Sequence, residues 1–297
     1  MNWFRFRLPN TAEIFCGASL RLEKGLGNGF VVAPFCNPEE GMLTIPNDFI
    51  PDETDLHSEC SEMSQSTPKE DYLNEVSIII KDLNGNRGKT VAARIIRIEC
   101  AADIIATFNA LCSEYPDAFV FTFSTSETGT WIGASPELLL KKDGTRVSTV
   151  ALAGTRPAFS EEDWDEKNIE EQSMVVEFIK KCLEENCFDV QILPRYTKRA
   201  GKVEHLCTPL TAEINEPTLK ISEKITELLT SLSPTPAICG SSREKSLKLI
   251  TELENFPREM YGGFCGPNNI NGNIAFYVIL RVAKCNPEAV CVYSGGG

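Results

Sequence analysis

The sequence predicts an α+β fold for this chain of 297 residues. Strand-like segments follow one another with only short turns between them, which is typical of antiparallel pairing. Helix-like segments are inserted between groups of strands and do not alternate regularly with single strands, so a βαβ array is disfavoured. No glycine-rich phosphate-binding motif follows a strand and opens a helix, which leaves a nucleotide-binding fold without support.

The composition divides the chain into three parts. Residues 1–51 are β-rich and are assigned to the same domain as the rest of the chain. Residues 52–70 are rich in Ser, Glu, Asp and Thr with few apolar side chains, so we interpret them as a mobile loop. Residues 71–297 form the body of the domain.

The elements of the body follow from the spacing of apolar residues. Helical spacing predicts helices over residues 71–83, 101–115, 161–186, 219–232 and 243–254. β-branched and continuous apolar stretches predict strands over residues 90–98, 118–124, 131–141, 147–152, 189–193, 202–211, 262–266, 273–283 and 289–294. The turn Lys142-Asp143-Gly144 is expected to pair the strands on either side of it.

Charge and composition exclude several classes of partner. The 29 Lys and Arg residues against 42 Asp and Glu residues give a formal net charge of −13, which argues against nucleic acid or an anionic membrane as a partner. The twelve cysteines contain no CxxC pair, so we expect reduced, mostly buried thiols; with only two histidines, a zinc site is also disfavoured. The first residues lack the apolar core of a signal peptide. We therefore predict a cytoplasmic protein.

Glu171 is the charged residue that fits an ordinary core least well. Glu171 shares the apolar face of the predicted helix 161–186, with Val175, Phe178 and Cys182 at helical spacing from it. It is a metal ligand or catalytic group, or it lies at the edge of the apolar face and pairs with Lys167.

Further candidates lie on strands and turns. Lys89 opens a predicted strand and shares its parity with apolar residues, so it points inward or is a solvated strand end. Arg281 lies inside an apolar strand, where a buried Arg needs a carboxylate or phosphate partner. The turns at Gly154-Thr155 and Gly295-Gly296-Gly297 can direct N–H groups at an anion, or are an ordinary turn and a flexible tail.

Nine short strings, in order along residues 71–297, resemble the chorismate-utilising enzyme family. They are KTVAAR at 89–94, GASPEL at 133–138, ALAGTR at 151–156, EQ at 171–172, HL at 205–206, PTPAICG at 234–240, REMYGG at 258–263, ILR at 279–281 and YSGGG at 293–297. The resemblance implies a single domain of two packed, largely antiparallel β-sheets with helices outside, and an Mg²⁺-dependent site in a cleft.

The resemblance also assigns roles to individual residues. It implies that Lys89 is the general base that activates water, that Glu137 is the general acid and that Glu171 is a Mg²⁺ ligand. It implies substrate contacts for the remaining site residues, which are Gly154, Thr155, His205, Ala237, Tyr261, Arg281 and Gly295.

Within the family, the chain is most similar to isochorismate synthases. The positions matching Lys89 and Ala153 carry other residues in the aminating members, and salicylate synthases place Thr at the position of Ala237. The resemblance therefore implies a monomeric enzyme that converts chorismate to isochorismate, for menaquinone, siderophore or salicylate synthesis, with menaquinone preferred. An aminating relative, a salicylate synthase or an inactive remnant that only binds ligand are the alternatives.

One part of the family pattern is absent. The family continues past the glycine turn into a segment with a Glu-Trp-x-Glu-Thr-x-x-Lys-like motif, which supplies a second Mg²⁺ carboxylate and a substrate-binding Lys. The resemblance therefore implies that this chain, which stops at Gly297, is a fragment or a truncated product, and it does not establish whether the chain is active as it stands.

Overall fold

The structure is a computed structural model that describes residues 1–83, 88–215 and 220–297. Its strands are β1 (Asn2–Arg7), β2 (Ile14–Ser19), β3 (Glu23–Lys24), β4 (Gly29–Ala33), β5 (Leu43–Ile45), β6 (Ala92–Ile98), β7 (Phe119–Thr125), β8 (Gly129–Ser135), β9 (Leu138–Asp143), β10 (Arg146–Pro157), β11 (Phe188–Ile192), β12 (Tyr196–Ala200), β13 (Val203–Glu213), β14 (Phe264–Ile270), β15 (Asn273–Val278), β16 (Val282–Cys285) and β17 (Val290–Gly296). Its helices are α1 (Pro38–Gly41), α2 (Lys69–Leu83), α3 (Ile104–Glu114), α4 (Glu166–Asn186), α5 (Ile221–Leu232) and α6 (Arg243–Leu253).

These strands form two sheets, as the resemblance implies. A seven-stranded sheet has the order β2-β1-β7-β8-β16-β17-β6. A ten-stranded sheet has the order β11-β13-β10-β9-β15-β14-β4-β5-β3, with β12 paired to β13. All described strand pairs are antiparallel. The α+β class with two antiparallel sheets is therefore confirmed.

Aromatic side chains fill the space between the sheets. Phe6 and Phe119 of the seven-stranded sheet cluster with Phe30 and Tyr277 of the ten-stranded sheet. The rings of Phe119 and Tyr277 stack with centroids 4.2 Å apart. Such rings bury large apolar areas and prefer stacked or tilted pairs, so this layer holds the two sheets together.

The longer helices cover the outer faces. Helix α4 buries Val175 and Ile179 in an apolar cluster with Leu228 of α5 and with residues of the ten-stranded sheet. Helix α3 buries Ile104 and Phe108 in a cluster with residues of β7 and β8. Helices on the outside and a shared core between the sheets are the layers expected of this class.

Two of the predicted strands are each divided between the sheets, which corrects their predicted extent. The predicted strand 131–141 ends as β8 at Ser135, and the chain crosses at Pro136-Glu137 into β9 of the other sheet. The predicted strand 273–283 likewise ends as β15 at Val278, and the chain crosses into β16. Arg281 lies in this second crossing with a φ of 49°. Glu137 and Arg281 therefore both lie where the chain passes from one sheet to the other.

Other predicted bounds change less. The predicted strand at 90–98 begins at Ala92, and the strand at 262–266 becomes β14 (Phe264–Ile270). The helix expected from residue 161 begins at Glu166, because the Asp165 side chain accepts a hydrogen bond from the Asn168 N–H and caps it. The turn that was expected to follow Lys141 does pair β9 with β10. Leu219, at the predicted start of the helix 219–232, lies outside the described residues.

Residues 1–51 contribute strands to both sheets, through the pairs β1–β7 and β4–β14. The predicted loop 52–70 is two residues too long, because α2 begins at Lys69; residues 52–68 contain one 3₁₀ turn, Glu53–Asp55, and bury Leu56 and Met63. The mobility of this segment remains a prediction. All twelve cysteines are unpaired and six are buried, whereas Cys36, Cys60 and Cys100 are exposed. No helix in the described ranges is long and apolar enough to cross a membrane.

Candidate active site

A cavity of about 280 Å³ lies where β10, β13 and β17 meet the two sheet crossings and α4. Its wall includes all ten residues to which the sequence assigns a role, although they are spread from residue 89 to residue 295. These are Lys89, Glu137, Gly154, Thr155, Glu171, His205, Ala237, Tyr261, Arg281 and Gly295. Their individual roles remain predictions.

Lys89 and Glu171 form an ion pair at one end of the cavity. The Nζ–Oε1 distance is 2.5 Å, and the side chains are 10% and 18% exposed. Lys89 precedes β6 and is held by its backbone, which exchanges hydrogen bonds with Ser241. Glu171 lies at the edge of the buried face of α4, beside the buried Gln172, as one of the two interpretations requires. Its partner in the structure is Lys89, however, and not Lys167 as that interpretation proposed.

Glu137 is buried in the first sheet crossing. Burial raises the pKa of its carboxyl group to about 7, and the hydroxyl of Thr235, which donates to Oε1 over 3.3 Å, opposes this shift. The backbone of Glu137 is fixed on both sides, because its N–H donates to Ser135 Oγ and its carbonyl accepts from the Val278 N–H. At pH values below 7 the side chain is therefore mainly a neutral acid at a fixed place in the wall.

His205 connects Arg281 to the turn at Gly154. The Arg281 guanidinium lies 3.1 Å from His205 Nε2, and His205 Nδ1 lies 3.0 Å from both the Gly154 carbonyl and the Thr155 hydroxyl oxygen. Burial lowers the pKa of His205, which favours the neutral ring. Because the guanidinium can only donate, Nε2 accepts and the ring proton is assigned to Nδ1.

Arg281 has only neutral acceptors in the structure. Its second hydrogen bond goes to the Ala200 carbonyl over 3.2 Å. Among residues 1–83, 88–215 and 220–297, no carboxylate forms an ion pair with it, contrary to the expectation of a carboxylate partner within the chain. A guanidinium that lines a cavity and has only neutral hydrogen-bond partners is suited to bind an anionic ligand.

The glycine turns differ in what they offer an anion. The Thr155 N–H already donates to Asn168 Oδ1 over 3.1 Å, so it is not free in this structure. Gly295 packs against Tyr261, and a Cβ at residue 295 would lie 2.6 Å from the Tyr261 hydroxyl oxygen. Burial raises the pKa of Tyr261 to about 12, so this hydroxyl keeps its proton. Glycine at position 295 therefore allows the hydroxyl to approach the backbone at the cavity wall.

Six further residues build the wall; Ala153 served in the sequence only to distinguish the branches of the family, and the other five received no role. Pro136, Leu152, Ala153, Leu280, Tyr293 and Ser294 also line the cavity. All of them lie inside the strings that carry the family resemblance, and this position in the sequence was the available signal.

Arg258 is a further supporting residue that received no role. Its buried guanidinium forms a bidentate pair with Glu254 and donates to the carbonyls of Val91 and Ile238. It also stacks over the ring of Phe35 at 4.5 Å. Arg258 therefore ties together the chain segments next to Lys89 and Ala237.

A second cavity of about 560 Å³ adjoins the first and shares Lys89 and Glu171 with it. Its remaining wall is mainly apolar and includes Val76 and Ile79 of α2 and Met174 of α4. The two residues proposed as general base and metal ligand are thus accessible from both sides.

The residues present fit a metal ion only in part. No group of three or more His, Cys, Asp or Glu side chains in the described ranges is arranged to hold a metal. Glu171 places one carboxylate at the cavity. Mg²⁺ commonly takes one or two protein carboxylates and completes its octahedral shell with water and substrate oxygens. One carboxylate beside an anion-binding cavity is compatible with that pattern.

The protonation of Glu137 predicts a pH dependence of stability. Its native pKa of about 7 lies above the ordinary value of 4.5, so stability is greatest at low pH and falls as the pH rises through 7. Between pH 5.5 and pH 8 we expect this group to remove about 2 kcal/mol from the free energy of unfolding, because part of the loss already occurs between pH 4.5 and pH 5.5. Glu137→Gln cannot ionise and should lose this part of the dependence in urea titrations at the two pH values. If Glu137→Gln and the parent showed the same difference in free energy of unfolding between the two pH values, Glu137 would be ionised at both.

Comparisons with known proteins point to the family that the sequence resembles. A family model described as chorismate binding enzyme matches residues 44–297. The isochorismate synthase EntC of Escherichia coli is 31% identical over 223 residues, which are 70% of this chain and 56% of EntC. The isochorismate synthase MenF of Bacillus subtilis is 27% identical over 273 residues, which are 87% of this chain and 57% of MenF. The chain thus spans little more than half the length of these curated relatives.

The fold is also that of a solved isochorismate synthase. The structure of MenF from Escherichia coli, a menaquinone-specific isochorismate synthase, aligns with a TM-score of 0.81 at 20% identity. The alignment covers 100% of this chain and 83% of MenF. At this identity the likeness concerns the fold. The match of the family model over most of the sequence goes further and shows that the chain belongs to the chorismate binding enzyme family.

Proposed function

We propose that this protein is an isochorismate synthase, which converts chorismate to isochorismate by adding water at C2 and removing the hydroxyl group at C4. The observation that carries the proposal is the joint placement of an amine, a neutral buried carboxyl group and an unpaired guanidinium around one small cavity. These are Lys89, Glu137 and Arg281. The names of the relatives support the same activity.

The proposed reaction uses the amine and the carboxyl group in opposite directions. Lys89, with its proton lost, takes a proton from water as the water oxygen bonds to C2. The two conjugated ring double bonds shift, the bond from C4 to its hydroxyl oxygen breaks, and Glu137 gives a proton to the departing oxygen. One proton is taken and one is given, so the atoms balance and water leaves from C4. The raised pKa of Glu137 keeps its proton available near neutral pH.

Binding of chorismate follows from its two carboxylates. Arg281 is the proposed partner of one carboxylate, together with the hydroxyl group of Tyr261 and the Gly295 backbone. The turn at Gly154-Thr155 is proposed to contact substrate after the Thr155 N–H exchanges Asn168 for it. His205 supports both groups, because its ring contacts Arg281 and the Gly154 carbonyl. Ala237 contributes the neighbouring wall, where its carbonyl lies 3.4 Å from Lys89 Nζ.

The proposed cofactor is Mg²⁺, with Glu171 as its protein carboxylate. When bound, the ion would neutralise charge on a substrate carboxylate and orient it. Lys89 Nζ lies at the same carboxylate in the structure, so the ammonium group and the ion would compete for Glu171. A cytoplasmic location is part of the proposal and is favoured by the twelve unpaired thiols. A monomeric state is also proposed.

Incubation with chorismate tests the activity. The protein is given chorismate with Mg²⁺, with EDTA, or with Mg²⁺ and ammonium. We expect isochorismate as the product, loss of turnover in EDTA, and no change of product with ammonium. Anthranilate, aminodeoxychorismate or salicylate as the main product would assign the chain to another branch of the family. Binding of chorismate without turnover would indicate a remnant that only binds ligand.

A further inference from the structure

Strand β12 brings a lysine to the backbone that carries Glu137. In the pairing of β12 with β13, Lys198 lies opposite His205. Its half-buried side chain reaches across to the first sheet crossing, where Nζ donates to the Pro136 carbonyl over 2.8 Å. Pro136 directly precedes Glu137 in the chain. Lys198 lies in none of the strings that carry the family resemblance, and no role has been assigned to it so far.

The hydrogen bond from Lys198 adds to two others that hold the backbone of the first sheet crossing. The Glu137 N–H donates to Ser135 Oγ, and its carbonyl accepts from the Val278 N–H. Lys198 holds the carbonyl of the preceding peptide, so three consecutive polar groups of the crossing have partners. A neutral donor would suffice to satisfy the Pro136 carbonyl, whereas the ammonium group also places a positive charge beside the buried carboxyl group.

That charge acts against the effect of burial. Burial disfavours the carboxylate form of Glu137, and the ammonium groups of Lys89 and Lys198 favour it. The other titratable groups around the same space are the Cys207 thiol, His205, Glu171, Tyr261, Tyr293 and Arg281, and the Thr235 hydroxyl donates to the carboxyl group itself. Lys89 is already paired with Glu171, and within the described ranges no ion pair is formed by Lys198. The positive charge of Lys89 is thus balanced by a carboxylate, whereas that of Lys198 is not balanced by any carboxylate among the described residues.

We propose that Lys198 is a positioning residue for Glu137: it fixes the peptide that carries this side chain and supplies the positive charge that allows the buried carboxyl group to release its proton. The catalytic meaning rests on the proposed function, in which Glu137 protonates the departing hydroxyl group. The electrostatic relation between the two side chains is a property of the fold and can be measured without turnover.

The same strand provides a matched control. Arg199 is the next residue, carries the same charge and points to the opposite face, where its guanidinium stacks over Phe159 at 4.2 Å and donates to the Gly201 carbonyl. Lys198→Met and Arg199→Met therefore remove one positive charge each from adjacent positions of β12. Lys198→Arg keeps the charge and serves as the conservative variant.

The test is a carbon-13 NMR titration of the protein labelled at glutamate carboxyl carbons, with the Glu137 signal assigned by its absence in Glu137→Gln. In Lys198→Met we expect the pKa of Glu137 to rise by about 0.5 to 1 unit, the order of effect of removing one screened positive charge that favours the carboxylate form. In Arg199→Met and Lys198→Arg we expect it to stay within about 0.2 unit of the parent value. An equal pKa in Lys198→Met and the parent would overturn the proposal, as would an equal rise in Arg199→Met.

Turnover provides the second measurement. If Glu137 must be protonated to act, kcat falls as the pH rises through its pKa, so the alkaline limb of the kcat profile in Lys198→Met should move upward by the shift seen in NMR. On the acidic side of both profiles, where Glu137 is protonated in parent and variant, we expect kcat to fall about three- to tenfold with little change in KM, because the carboxyl group is a weaker acid and its peptide has lost a hydrogen bond. A kcat profile in Lys198→Met that coincides with the parent's would overturn the positioning role even if the NMR shift occurs. If the parent itself does not turn over chorismate, the proposed function fails, and the NMR titration still decides whether Lys198 sets the charge state of Glu137.

Discussion

Turnover of chorismate falls by about 100-fold or more when Glu137 is changed to Gln or Lys89 to Ala, the scale on which general acid or base assistance contributes. The amide of Gln occupies nearly the same space as the carboxyl group and can still accept from Thr235, but it has no acidic proton to give. Truncation at Lys89 removes the amine from Glu171 and from the cavity wall. Both effects should appear in kcat more than in KM, because neither group is the proposed partner of a substrate carboxylate.

Two buried charged groups outside the cavity are the matched controls. Glu75 of α2 is buried and also has its pKa raised to about 7 by burial, so Glu75→Gln repeats the chemical change of Glu137→Gln away from the proposed reaction. Lys284 is buried and paired with Glu259 at an Nζ–Oε2 distance of 2.6 Å, as Lys89 is with Glu171, so Lys284→Ala repeats the loss of a paired ammonium group. We expect both controls to keep kcat within about threefold of the parent's. Near-parental kcat in either Glu137→Gln or Lys89→Ala would remove that residue from the proposed chemistry.

Charged residues within apolar stretches were the most informative sequence feature for locating the candidate site. The helical spacing of α4 put Glu171 next to the apolar face, and Arg281 stood out within an apolar stretch. Both line the cavity. Glu171 pairs with Lys89 instead of Lys167. Arg281 hydrogen-bonds to His205 and the Ala200 carbonyl instead of to a carboxylate. Lys89 is 82 residues away from Glu171 in the sequence, and no local pattern relates two such positions. The partner of an ion pair across the fold becomes visible only when the tertiary structure is known.

The sheet crossings explain why the predicted strands were too long. Apolar residues continue through Pro136 and through Leu280, so periodicity alone does not show that the chain changes sheets there. Pro136 was a usable signal, because proline rarely lies in the interior of a sheet. The positive φ of Arg281 has no such signal, since it is set by the surrounding structure.

Strand β12 was not predicted from the sequence, and the reason is different. Its sequence, Tyr-Thr-Lys-Arg-Ala, lacks the apolar alternation of a half-buried strand, and it pairs with β13 off the main order of the sheet. Edge strands of this kind often carry charged residues that discourage further pairing. The charged residue Lys198 and the Ala200 carbonyl nevertheless contact the two sheet crossings, through Pro136 and Arg281.

The largest expected loss of stability comes from the buried pair of Arg258 and Glu254. Arg258→Met leaves the Glu254 carboxylate buried without its cation, and such a change costs about 3 to 5 kcal/mol of the free energy of unfolding. The Ala93 N–H still donates to Glu254, which does not compensate the charge. The Val91 and Ile238 carbonyls lose their donor at the same time. Urea unfolding of parent and variant measures the difference directly.

Two further variants separate the buried charge from the loss of side-chain volume. In the double variant Arg258→Met, Glu254→Leu no charge remains, so we expect much of the lost stability to return, although the two carbonyls stay without their donor. Lys180→Met breaks the exposed pair with Glu184, whose side chains are 37% and 54% exposed, and should change the free energy of unfolding by about 1 kcal/mol or less. A loss in Arg258→Met as small as that in Lys180→Met would mean that water reaches Glu254. Arg258 would then contribute to the cavity through its packing on Phe35 and not through its charge.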